Sequence, residues 1–175
     1  MQRPYYNPSH SGSTATHTIN PALRQPWMRT LLAGAAWTTQ ALNALQPVAA
    51  LVARLYVANV FFASGLTKIR DWDTTLALFT YEYQVPVLSP AVAAAMGTAG
   101  ELGLPVMLAL GLGSRFAALG LSVVNVVAVV SLSEIAPTAL QQHILWGALL
   151  VGIAVFGPGG LALDRWVQRF IFKPL

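Results

Sequence analysis

Residues 47–67 read PVAALVARLYVANVFFASGLT: twenty-one residues, nearly all apolar, interrupted by one arginine. A helix rises 1.5 Å per residue, so a bilayer's hydrocarbon core needs about 20 such residues. Three further stretches approach that length: residues 89–111 (SPAVAAAMGTAGELGLPVMLALG), 115–132 (RFAALGLSVVNVVAVVSL) and 139–156 (ALQQHILWGALLVGIAVF). In lipid every backbone N–H and C=O must be satisfied within the segment, and an α-helix does this. The expected fold is therefore all-α, a transmembrane four-helix bundle over residues 47–164.

Composition agrees. Hydrophobic residues make up 55% of the 175, charged residues 9%, and mean hydropathy is +0.59. Soluble domains carry about 25% charged residues, so this chain lacks the charge to cover a water-exposed surface. The net charge of +4 is scattered rather than clustered, and no nucleic-acid-binding signature accompanies it. With no cysteine, disulfides, thiolate metal sites and dithiol redox chemistry within the chain are excluded. No nucleophile elbow, phosphate-binding loop, HExxH or dinucleotide fingerprint occurs in its required context.

The flanks give an orientation. With the N-terminus inside, Arg3, Arg24, Arg29, Arg115, Arg165, Arg169 and Lys173 lie inside, and only Lys68 and Arg70 outside. Seven against two places both termini in the cytoplasm of a bacterial-type inner membrane. Residues 1–26 lack a signal peptide's apolar core and read as a flexible polar tail. Residues 27–46 place Trp27, Leu31, Ala35, Leu42 and Leu45 near one face, the pattern of an amphipathic interfacial helix. Residues 68–88 form an outer connection whose Trp72, Phe79, Tyr81 and Tyr83 suit the headgroup region. Residues 165–175 read as a basic cytoplasmic tail.

Polar residues inside the apolar segments are the site candidates. Glu101 falls near the bilayer midplane, too deep to snorkel, where ionisable groups face a bundle interior or a partner. The alternative is a protonated, structurally hydrogen-bonded carboxyl. Arg54 is either a snorkelling cation or the buried partner of an acid. Arg54, Ala58, Phe61, Gly65 and Lys68 recur at helical spacing and form one stripe with a cation near each end. Arg54, Glu101 and Lys68 are accordingly the candidate intramembrane site, with Arg54 and Glu101 expected to pair and Lys68 at the outer mouth. Asn59, Asn125 and His143 are secondary candidates, equally suited to hydrogen bonding between helices. No metal or haem site is expected, because His143 has no convincing partner ligand.

The order of these residues resembles the DoxX family of small four-helix membrane proteins. The resemblance runs from about Arg54 to Asp164 and is carried by Arg54, Phe62, Gly65 and Lys68 in RLYVANVFFASGLTKIRDW. Glu101, Gly111 and Arg115 in AGELGLPVMLALGLGSRFAA and the terminal GPGGLALD add to it. Where family members often have Gly-x-Pro before the second span, this chain has Gln84-Val85-Pro86. The family's link to thiosulfate:quinone oxidoreductase, and to sulfurtransferase and superoxide-detoxifying systems, implies a membrane subunit of an oxidoreductase system. Membrane lipids and a redox protein are then its partners and quinone its ligand; nucleic acid is not. Two other readings stay open: a small-solute or proton permeation protein with Glu101 as relay, and a structural anchor for another membrane complex.

Overall fold

A computed structural model describes residues 25–171, with side chains through residue 167. Six helices follow one another: α1 (Pro26–Arg70), α2 (Trp72–Tyr81), α3 (Pro90–Leu110), α4 (Ser114–Val130), α5 (Pro137–Phe156) and α6 (Leu163–Ile171). Among the described residues the only extended pairing is an isolated bridge between Tyr83 and Leu132. The protein is thus an all-α helical bundle. The described residues divide after Ala41 into two compact units, and every contact described below lies in the second. The expected polar tail falls almost wholly outside the described residues, as do the histidines at 10 and 17.

Three helices, α1, α3 and α5, are long and apolar enough to cross a membrane; α4 is apolar but has 17 residues. At 1.5 Å per residue α4 covers roughly 26 Å, short of the ~30 Å hydrocarbon core. Residues 27–46, expected as a separate interfacial helix, fall within α1, which runs through Pro47 without a break. Proline removes one intrahelical hydrogen bond, and packed neighbours make that loss tolerable. Here the Gly159–Gly160 backbone lies against Pro47 and Ala50. Pro105 does the same inside α3, withdrawing the N–H that would serve the carbonyl of Glu101.

α4 is sandwiched between α3 and α5, and α2 packs on α3. The central core joins Val57 and Phe61 of α1 to Leu108, Ala117, Ala118, Leu121, Leu150 and Ile153. Small residues on α4 let the helices approach closely, where lipid gives no hydrophobic drive for association. Outward-facing side chains such as Leu55, Phe116, Val126, Ile144 and Val151 are exposed. An apolar exterior around a core containing Arg54, Thr98, Glu101 and Asn125 reverses the pattern of a soluble bundle.

The bundle has two ends. At the upper end α2 begins at Asp71, whose carboxylate caps it by accepting from the Thr74 N–H (3.0 Å) and hydroxyl (2.7 Å). These hydrogen bonds hold the Asp71 carboxyl below its ordinary pKa. The residue 82–89 loop is stapled to the end of α4 by the Gln84 N–H donating to the Ser131 carbonyl (2.7 Å). Its tip bears an exposed Val87 at φ 69°, strained for a β-branched residue. At the lower end lie the α3–α4 turn and residues 157–164, which fold back onto it.

Candidate functional site

Five helical positions on α1 build one wall of the interior. Arg54, Ala58, Phe61 and Gly65 are buried, and Lys68 is half-buried above them. Gly65 faces α3 so closely that a Cβ there would sit 2.9 Å from the Leu102 side chain and 3.1 Å from Glu101 Cβ. That approach fixes the level at which the helices meet. It puts Glu101 within reach of Lys68, one turn further up α1.

Lys68 Nζ donates to Glu101 Oε2 at 2.6 Å and to Ser64 Oγ at 2.9 Å. The two charged side chains are 18% and 9% exposed, so the ion pair is largely withdrawn from solvent. It forms the floor of a cavity of about 450 Å³ near the upper end. The walls are apolar: Phe79 of α2, Val85 and Leu88 of the loop, Met96 of α3, and Val123 and Val127 of α4. Phe79 and Tyr83 stack with ring centroids 4.9 Å apart. Burial raises the Tyr83 phenol above its ordinary pKa, and the charges of Glu101 and Glu82 push the same way. Ser131 also lines the cavity; it is 2% exposed, and its hydroxyl has no hydrogen-bond partner among the described residues.

Arg54 belongs to a different cluster, which corrects the expected Arg54–Glu101 pair. Its Nη2 donates to the Leu161 carbonyl at 2.8 Å, and Asp164 is the acid whose charge it feels. Arg54 lies eleven residues below Gly65, roughly 16 Å along α1, beyond the reach of an arginine side chain. The Gly65 contact, rather than each residue's depth within its own segment, sets these levels. Gly111, at φ 77°, makes room for the guanidinium, since a Cβ there would collide with Arg54 Nη1 and with Ala162. Asp164 in turn caps α4: its carboxylate accepts from the Gly113 N–H (2.8 Å) and the Ser114 N–H (3.1 Å), while its own N–H donates to the Gly111 carbonyl (2.9 Å). A carboxylate at a helix N-terminus gains from both the free N–H groups and the dipole.

The secondary candidates separate. Asn125 is buried and joins α4 to α5: its Nδ2 donates to the His143 carbonyl (2.9 Å), and its Oδ1 faces His143 Nδ1 (2.8 Å). A carbonyl only accepts, so the amide orientation is fixed and Nδ1 carries the imidazole proton. His143 also meets Trp146 edge-on. Asn59 is exposed and lies beside a shallow groove between α1 and α3 lined by Phe62 and Pro105. It is not brought to either cluster. Among the described residues no group of three or more His, Asp or Glu side chains is placed to hold a metal.

Reasoning from sequence missed Tyr83 and Ser131 as cavity residues, and Asp164 as the α4 cap. Tyr83 and Ser131 sit at the ends of elements, where hydropathy carries no signal of direction. Asp164 was noticeable as the acid closing GPGGLALD, but nothing local says which helix it caps.

Fold and site together define an integral membrane protein with a buried ion pair beneath an apolar cavity. The DoxX family model matches residues 49–134, and the chain is a member of the DoxX family. The match covers the Lys68–Glu101 site and ends before residues 157–164. No curated protein and no solved structure matches the chain significantly.

Proposed function

We propose that this DoxX-family membrane protein works as a membrane partner in a quinone-linked or oxidative-stress oxidoreductase system, holding the oxygenated head of a lipid-soluble redox compound over the Lys68–Glu101 pair. The observation that carries the reading is that pair, buried at the floor of a cavity whose walls are mostly apolar. Ligand sites have this character: apolar walls, a volume of some 300–1,000 Å³, and a few convergent polar groups that fix orientation. An ionic pair inside a membrane domain is expensive and is retained where it serves a ligand, a proton or a partner. The chain has no cysteine to cycle, so electrons would pass between the bound compound and a partner protein. In the orientation set by the cation bias, with both termini cytoplasmic in a bacterial-type inner membrane, the cavity would lie in the outer half.

The test is quinone-dependent electron flow in native membranes carrying Glu101→Gln, with insertion and abundance verified. Gln keeps the shape and hydrogen-bonding capacity but loses the charge. Impaired flow per inserted molecule is the expected outcome. Full flow in Glu101→Gln and in Lys68→Met alike would remove the site from the pathway.

A further inference from the structure

We infer that the cavity above the Lys68–Glu101 pair is built for a hydroxyl on an aromatic ring, a membrane-soluble phenol or the hydroquinone form of a quinone, in preference to a carbonyl or ether. The inference rests on the reading of this cavity as the ligand site.

It follows from counting hydrogen bonds at the floor. A lysine ammonium has three hydrogens. Lys68 gives one to Ser64 Oγ and one to Glu101 Oε2, leaving the third. Glu101 Oε2 is engaged with Lys68, whereas Oε1 carries no hydrogen bond among the described residues. Both side chains keep some exposure, and both line the cavity. The floor therefore offers one cationic donor and one anionic acceptor side by side.

A hydroxyl satisfies both at once, accepting from the ammonium and donating to the carboxylate. A carbonyl or an ether oxygen satisfies only the ammonium and sets its other lone pair near the carboxylate oxygen. Hydrogen bonds to ionised groups are the strong ones, and a phenol is a better donor to a carboxylate than an aliphatic alcohol. The stacked Phe79–Tyr83 wall suits a ring, because aromatic faces and edges pair by offset or T-shaped contact.

The experiment uses the full chain in phosphatidylcholine nanodiscs, with empty discs correcting for partition into lipid. Four matched probes are compared by equilibrium binding: 4-pentylphenol, 4-pentylanisole, 4-pentylcyclohexanol and 2-pentyl-1,4-benzoquinone. The phenol is expected to bind roughly 10- to 100-fold more tightly than the anisole or the benzoquinone, the range set by one added charge-assisted hydrogen bond. Glu101→Gln should shrink that margin to a few-fold. Gly97→Leu, which fills the cavity beside Phe79, should exclude every probe. A diazirine derivative of the phenol locates the site without any substitution, its adduct expected on Phe79 or Val127, which line the cavity and are withdrawn from the exterior.

Equal binding of phenol, anisole and benzoquinone, with adducts on those residues, overturns the hydroxyl preference and leaves the cavity as the ligand site. Equal binding of phenol and cyclohexanol overturns the aromatic part. Binding no greater than to empty discs, or adducts elsewhere, removes the preference and the ligand-site reading together.

Discussion

Neutralising one member of the Lys68–Glu101 pair should harm the protein more than neutralising both. At 2.6 Å and an effective dielectric near 20, the gross attraction is about 6 kcal/mol. Desolvation of both charges offsets much of that, so replacing the whole pair costs little. Removing one partner strands the other beneath apolar walls, a loss of about 3–5 kcal/mol. Lys68→Met and Glu101→Gln are each expected to destabilise by about 3–4 kcal/mol, and the double variant by no more than about 3 kcal/mol. The coupling energy is then at least roughly 3–5 kcal/mol. Unfolding in mixed detergent–SDS micelles, followed by tryptophan fluorescence, measures the four corners of the cycle. Additivity within about 0.5 kcal/mol would refute the coupling. A parallel cycle of Arg54→Met with Glu101→Gln should be additive to that margin, since the two residues share no partner; strong coupling there would restore the pair that the structure separates.

Gly111→Ala should cost about 2–4 kcal/mol, because the new Cβ meets Ala162 at 2.8 Å in a left-handed backbone conformation; a near-native thermal midpoint would contradict that packing. Val87→Gly should stabilise the loop by about 1 kcal/mol by relieving its positive φ, measured in the same micelle unfolding. The Asp71 cap is a depressed carboxylate, so its contribution to α2 is present above the ordinary Asp pKa and lost as pH falls through the lowered folded value. The protection factors of the α2 amides, which remove the intrinsic pH dependence of exchange, should therefore fall on acidification, and Asp71→Asn should flatten that dependence. Cysteines introduced at Asp73 and Glu134 should react with an impermeant periplasmic reagent; protection of both would reverse the proposed orientation.

Much of this was legible in the sequence for one reason: a helix in lipid repeats its inward face every 3.6 residues. That period alone assembled Arg54, Ala58, Phe61, Gly65 and Lys68 into a stripe, and four of the five are buried. Glu101 stood out because a carboxylate there has no cheap alternative to facing inward, and it does. The pairing was not legible, because relative height between helices depends on where they touch. Gly65 sets that height through an absent side chain, which no periodicity reports. Nor does hydropathy show that α1 continues past Pro47, that residues 163–171 form a helix, or that Asn59 faces outward while Asn125 faces inward. Neighbouring packing decides each of these, and it comes from residues distant in the chain.

The guanidinium of Arg54 finds its acceptor at Leu161, 107 positions later. Synthesis runs from the N-terminus, so α1, α3, α4 and α5 are all made before that acceptor exists. Throughout that interval the nascent bundle carries an unsettled cation in its lower half, a mark by which an incomplete chain differs from a finished one. Release from the insertion machinery and escape from membrane proteolysis would then both wait on the same short segment. A nascent chain stalled before Leu161 should be held or degraded, while one extending past Asp164 should persist.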